Sequence, residues 1–380
     1  MAEAQRRRPA AGRIAAHRWF FPAALALALV AIPLWTAAYT GWSAWPPLAS
    51  SWHGHEMLFG YALAVVAGFL LARLGRGELA LLLGAWLLAR LVALVPEPGP
   101  WQAAAATLFP LLLAGRVGTL FLPAAKKGSN RMFAPIFIGF LLAELLYQGG
   151  RLGLVPDGER LGLVLAVDLV TLLLVLMGGR VIPAATAGAL HRRGQRLDNR
   201  VQPQLERWAL AGLGVMIAAD LLALWPVAAV AAAAVGMLIA IRLARWRTAA
   251  IRDVPELWSL HLGYAWLALG LLAKGAALPI DRALLIDLQH ALTIGALGTL
   301  SFAMILRTGA ARAVPSVAVP RAIGMIALAL GLATLARLAA PFLAYPFSPW
   351  ALIAAAGLWS VAAAATLACH FAIIRAAARA

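Results

Sequence analysis

The chain has 380 residues, of which 63% are hydrophobic, 12% are charged and one, Cys369, is a cysteine. Soluble domains contain about 45–50% apolar and about 25% charged residues, so this composition excludes a soluble globular protein. It also excludes a disordered chain and a disulfide framework within the chain. At roughly 30 residues per span and loop, the length allows about a dozen helical crossings of a lipid bilayer.

Apolar runs of about 20 residues recur along the chain, and each predicts a transmembrane helix because backbone groups in hydrocarbon must be bonded within their own segment. Twelve runs are present, at residues 19–40, 55–73, 79–95, 101–122, 132–148, 161–182, 206–224, 226–243, 257–275, 285–306, 320–341 and 349–374. The sequence therefore predicts an all-α, polytopic membrane protein with a single 12-helix domain over 19–374. Basic tails at 1–18 and 375–380 flank this domain, and 183–206 is its longest cytoplasmic loop.

The distribution of Lys and Arg tests this order of spans. Most of the 32 basic residues fall in the two tails and in the connections after even-numbered spans. By the positive-inside rule, both termini and the even-numbered connections are cytoplasmic. The net charge of +17 is then explained by topology and by contact with anionic lipids, and it does not indicate a nucleic-acid partner.

Two pairs of spans resemble each other, which predicts three repeated four-helix units. Spans 3 and 11 share a Gly-x5-Arg-Leu frame, and spans 2 and 10 share a histidine followed five residues later by glycine. The matching positions are Gly84 with Gly331, Arg90 with Arg337, His55 with His290, and Gly60 with Gly295. The repeated polar residues mark spans 2, 3, 10 and 11 as the place to look for a site.

His55 and His290 share a depth near the outer face, with Arg90 and Arg337 beside them. Ionisable groups within a membrane are functional candidates because they are costly to bury. One interpretation is a six-coordinate haem, with the two imidazoles as axial ligands and the guanidinium groups at its propionates. Gly60 and Gly295 would let the macrocycle approach the helices. The other interpretation is a tightly packed bundle in which these polar residues bond one another.

The remaining histidines give weaker signals. His261 enters span 9 from the inner side, far from the other candidates. It could serve a second site or a proton path, or it could contact Glu144 or Asp168. His17 and His191 lie in basic segments, and His370 is predicted to make an ordinary polar contact in the last span.

Several motifs resemble those of the NnrS family. The first runs from Trp52 through His53-Gly54-His55-Glu56-Met57 to Gly60, followed by the apolar run 67–71. Further matches occur in chain order at 179–183 with Thr186, at 260–267 and at 290–298. The resemblance covers nearly the whole chain, from span 1 to span 11.

This resemblance implies a bacterial cytoplasmic-membrane protein that carries haem b and copper. The family is associated with denitrification and with resistance to nitric oxide (NO) and nitrosative stress. The resemblance implies His55 and His290 as axial haem ligands. His53 and Met57 offer an imidazole and a thioether, which suit Cu(I), and His261 is an alternative copper or second-haem ligand. The partners implied are NO or a related gas, and a quinone or another electron carrier.

A weaker resemblance links the predicted spans to the core subunit of haem–copper oxidases. Spans 6 and 7 of this chain lack the histidines that bind the active-site copper there, so the reaction does not transfer with the fold. Two functional classes stay open. The first is a haem protein that senses NO, buffers it or passes electrons, and the second is an enzyme that converts NO at an open haem position.

Overall fold

The computed structural model describes residues 13–43, 50–95, 97, 99–121, 132–313 and 318–379, with only the backbone for Ser50. Twelve long helices make up this part of the chain. They are α1 (His17–Tyr39), α2 (50–70), α3 (Arg76–Val92), α4 (Pro100–Phe121), α5 (Phe133–Arg151), α6 (Gly158–His191), α7 (Pro203–Leu221), α8 (Trp225–Ala244), α9 (Pro255–Ala277), α10 (Arg282–Arg312), α11 (Ile323–Ala339) and α12 (Phe347–Arg379). Short 3-10 turns cover Thr248–Ile251 and Ala340–Phe342.

Eight helices within the described ranges are long and apolar enough to cross a membrane, namely α1, α4, α5, α6, α8, α10, α11 and α12. The all-α, multi-pass membrane fold is thereby confirmed. Helix α3 has 17 residues, and α2 is interrupted by a π-helical segment. The full count of twelve crossings therefore stays a prediction.

Large apolar side chains cover the outside of the bundle. Val230 is 71% exposed and Met325 is 70% exposed. A water-soluble surface rarely carries so many contiguous apolar groups, whereas a lipid-facing surface requires them. The exposed residues are thus in keeping with a lipid bilayer as the surroundings of the bundle.

The helices pack mainly with their neighbours in sequence. Helix α5 packs on α6, α7 on α8, α8 on α9, and α11 on α12, while α1 returns to α12. The two ends of the chain therefore meet within one bundle. Packing among α2, α6, α9 and α10 brings the polar segments described below into its interior.

The structure corrects several predicted boundaries. Helix α6 continues through Pro183 to His191, so the first part of the predicted loop 183–206 is helical. Proline is tolerated within a membrane helix because neighbouring groups compensate for the lost hydrogen bond. Helix α2 starts five residues before its predicted start, which places His53 inside the helix.

A two-residue pairing also departs from the all-α prediction. Strand β1 (Ile14–Ala15) pairs antiparallel with β2 (Arg73–Leu74). The pairing ties the start of α1 to the end of α2. Most of the predicted tail 1–18 lies outside the described residues.

Candidate functional site

Two π-helical segments begin directly after the predicted histidines. The segment Glu56–Ala62 follows His55 in α2, and Ala291–Gly298 follows His290 in α10. A π segment inserts an extra residue into an α-helix, and such segments occur frequently at functional sites. The two helices thus share a rare backbone feature at the same place, which supports the predicted kinship of spans 2 and 10.

His55 lies between two buried carboxylates. Its Nδ1 is 3.0 Å from Glu56 Oε1, and its Nε2 is 3.0 Å from Glu144 Oε2. Arg90 Nη1 lies 2.9 Å from Glu56 Oε1, and the Gln148 amide donates to Glu144 Oε1 at 2.8 Å. All five side chains are at least nine-tenths buried.

Charge balance explains this arrangement. Ionised carboxylates only accept hydrogen bonds, so an imidazole that meets one with each nitrogen must donate from both. His55 is then an imidazolium, and with Arg90 it neutralises Glu56 and Glu144. An imidazolium has no lone pair left for a metal. The sequence predicts that the rings of His55 and His290 face each other, and the structure corrects this prediction. The His55 ring instead packs parallel to the Tyr147 ring, with 4.5 Å between the ring centroids.

The ring that faces His290 is that of His53. The two imidazoles are nearly parallel, with 7° between their planes and 6.3 Å between their centroids. The Nδ1 of His53 is buried and meets no hydrogen-bond partner among the described residues. On α1, Trp35 stacks against His53 with 4.6 Å between the ring centroids. The predicted pair of facing imidazoles is thus present, but His53 takes the place of His55 in it. The Nδ1 of His53 is the unused nitrogen of the pair.

The backbone of α10 fixes the tautomer of His290. Its Nδ1 lies 3.0 Å from the carbonyl oxygens of Ile286 and Asp287. Carbonyl oxygens only accept, so Nδ1 carries the proton and Nε2 keeps the lone pair. Metal-binding histidines usually donate their other N–H to a carbonyl or carboxylate in this way.

Both predicted arginines are ion-paired with acids of the helix next to their own. Arg90 of α3 pairs with Glu56 of α2, and Arg337 of α11 pairs with Asp287 of α10, with 2.8 Å from Nη2 to Oδ1. The two arginines therefore hold the helices that carry the histidines.

The two predicted glycines make room for side chains of this chain. A Cβ at Gly60 would lie 2.4 Å from Arg90 Nη1 and 2.5 Å from Leu27 Cδ2. A Cβ at Gly295 would lie 2.7 Å from Trp266 Cγ. The prediction that a macrocycle approaches the helices at these two glycines is therefore corrected, because the side chains of Arg90, Leu27 and Trp266 fill the space.

Met57 and His261 lie apart from the facing imidazoles. The Met57 side chain packs against the apolar core. His261 is buried and shares hydrogen bonds with the hydroxyls of Thr186 and Thr248, each 2.8 Å from a ring nitrogen. Its partners are thus two threonines, and not the predicted Glu144 or Asp168.

Sequence reasoning missed one buried cation. Lys274 of α9 contacts Asp168 of α6 and Asp220 of α7, two acids buried within the bundle. Lys274 lies inside the predicted span 257–275, where charge complementarity with the two acids would have been the available signal.

An apolar cavity of about 110 Å³ lies between the helices that carry the site. Residues of α2, α6 and α10, including Val65, Met177 and Leu300, line it. The cavity is partly open to the surroundings of the bundle, and its lining is apolar. Such a lining accepts small apolar molecules.

A family model described as NnrS protein matches residues 13–377. The chain belongs to the NnrS family. No curated protein and no solved structure matches it. Family membership confirms the resemblance carried by the His-x-His-Glu-Met motif. The weaker likeness to haem–copper oxidases, and the haem, copper and NO that the NnrS resemblance implies, stay predictions.

Proposed function

We propose that this NnrS protein responds to NO through a haem held by His290 and His53 near the outer face of a bacterial cytoplasmic membrane. The proposal replaces His55 by His53 in the predicted axial pair. It keeps the predicted link to denitrification and nitrosative stress, with a quinone or another electron carrier as redox partner.

One observation carries the proposal, namely the state of the His290 ring. Its Nδ1–H is engaged by backbone carbonyls, so its lone pair on Nε2 is available. The nearly parallel His53 ring, 6.3 Å away between centroids, supplies a second imidazole with a buried and unused nitrogen. Bonding two imidazoles to one iron is typical of haem that transfers electrons. Two imidazole nitrogens are the donors that such a haem requires.

The surrounding residues would keep the pair in position. Arg337 holds Asp287, whose carbonyl orients His290, and Trp35 stacks against His53. The apolar cavity would let an uncharged gas accumulate within the bundle. Haem iron supplies reversible binding of NO and one-electron redox chemistry when it is bound.

Copper is the second candidate for this site. Imidazole and thioether ligands suit Cu(I), and the filled space at Gly60 and Gly295 favours a single ion over a macrocycle. Among the described residues no group of three or more His, Cys, Asp or Glu side chains could hold a metal. A copper ion here would therefore rest on His53 and His290, without the predicted thioether of Met57, which packs against the apolar core.

The optical spectrum of the purified, dithionite-reduced protein tests the proposal. We expect the absorption bands of a six-coordinate haem, and metal analysis should find iron. A small change on adding CO or NO would favour electron transfer or sensing, and a large shift would favour a catalyst with an open position. A protein with copper and no haem would support the second candidate, and a protein with neither would contradict both.

A further inference from the structure

The strongest unexplained feature outside the histidine site is a cluster of three buried charges. Lys274 Nζ lies 2.8 Å from Asp168 Oδ1 and 2.6 Å from Asp220 Oδ2. The lysine is 5% exposed, and the two aspartates are 1% and 2% exposed. Three different helices, α6, α7 and α9, contribute one residue each, so the cluster is built by the fold.

The charges of this cluster do not cancel. With every group ionised, two carboxylates and one ammonium leave one negative charge, and no fourth charged group joins them among the described ion pairs. By contrast, Glu56 and Glu144 are balanced by Arg90 and His55. An unbalanced charge in a low-dielectric interior costs several kcal/mol, which the site avoids by taking up a cation.

One oxygen identifies where that cation binds. Asp168 Oδ2 is buried and meets no hydrogen-bond donor in the described part of the chain. A proton on Asp168 or Asp220 would give this oxygen a partner, because a protonated carboxyl donates to a carboxylate. A metal cation would need about six oxygen ligands, and the cluster offers only the carboxylate oxygens of two residues.

The position of the cluster suggests its access route. Asp220 is the next-to-last residue of α7, and Lys274 lies three residues before the end of α9. The cluster therefore lies near the face of the bundle at which α7 and α9 end.

We propose that Asp168, Asp220 and Lys274 form a proton-binding site that holds one proton between its two carboxyl groups. Uptake converts one carboxylate to a carboxylic acid and makes the cluster neutral. The proton comes from the aqueous phase at the face where α7 and α9 end. This site is independent of the haem proposed above.

Infrared spectroscopy of the full-length protein in lipid nanodiscs tests this proposal. The wild-type protein at pH 7 should show the C=O stretching band of a protonated carboxylic acid, with a shift in D₂O. Asp168→Asn and Asp220→Asn should each remove this band, because either change leaves a neutral Lys–Asp pair. Lys274→Met should increase the band about twofold, since both carboxyls must then be protonated. The matched control is Glu144→Gln, which alters the balanced cluster of His55, Glu56, Arg90 and Glu144. This variant should retain the band.

Two further measurements keep the test decisive. Incorporation of aspartate labelled with ¹³C at its side-chain carboxyl should shift the wild-type band, which identifies aspartate even if a variant does not fold. The band should also be the same in sodium and in choline buffers. No aspartate band at pH 7, or a band that appears only without sodium, would overturn the proposal.

Discussion

His53 and His55 are two residues apart in the sequence, and their rings meet different partners. Residues two apart on a helix point about 200° away from each other. His55 therefore turns toward Glu144 of α5, while His53 turns toward Trp35 and His290. The motif places a charged structural residue beside a residue with an unused ring nitrogen.

The balanced cluster gives a prediction about stability. His55→Ala leaves Glu56 and Glu144 with only Arg90, and we expect a loss of about 3–5 kcal/mol because a buried charge becomes uncompensated. Adding Glu144→Gln to this variant removes the surplus negative charge and should restore most of the lost stability. Thermal unfolding of the detergent-purified variants measures both effects. A His55→Ala variant as stable as the wild type would contradict the assignment of His55 as an imidazolium.

Gly295 gives a prediction about packing. In Gly295→Ala the new Cβ would lie 2.7 Å from Trp266 Cγ, and the rigid indole must move. We expect the variant to lose about 1–3 kcal/mol of stability, as is usual for overpacked cores. Gly84→Ala is the matched control, because a Cβ there meets nothing within 4 Å. Equal melting temperatures for the two variants would argue against this packing role.

The π-helical segments of α2 and α10 act at the scale of whole elements. Each contains an extra residue relative to an α-helix, which changes the direction of every side chain beyond it. In α10, the extra residue lets His290 and the buried Ser301 lie on different faces of the helix. The hydroxyl oxygen of Ser301 lies 2.5 Å from the hydroxyl oxygen of Tyr61 in α2. The segments thus set how the two helices meet.

Deleting Thr293 from the π segment of α10 tests this interpretation. Loss of one residue should convert the segment to an α-helix and leave His290 and Ser301 in the same directions relative to each other, because the deletion removes both the extra residue and the wider turn that accommodates it. We therefore expect the variant to keep its bound metal. The metal content of the purified protein, compared with that of a Gly84→Ala control, is the measurement. Loss of the metal after the deletion would show that the wider turn itself, and not only the directions of the flanking helix segments, is needed.

Most helices could be predicted from the sequence because hydrocarbon requires long apolar segments. The π segments could not, since periodicity does not distinguish an inserted residue from an ordinary turn. The sequence predicts that the sixth helix ends before Pro183, although neighbouring helices allow it to continue. Depth and spacing could predict that an imidazole of span 2 lies near His290. They could not predict which one, because the choice between His53 and His55 depends on the rotation of α2.

Topology is the prediction at the scale of the whole molecule. Asp157 lies between α5 and α6, and Asp198 between α6 and α7. In a Cys369→Ser background, Asp157→Cys should react with a membrane-impermeant maleimide in intact cells. Asp198→Cys should react only after lysis, because the positive-inside rule places it in the cytoplasm. The reverse labelling pattern would invert the proposed orientation of the site.

The whole bundle brings His53 of α2 and His290 of α10 together from segments more than 200 residues apart. The direct measurement is the haem and copper content of His53→Ala and His290→Ala, with His370→Ala as the control. We predict that each of the first two variants loses the metal group while the control keeps it. Unchanged content in both variants, with a folded protein, would contradict the assignment of this pair as the ligands.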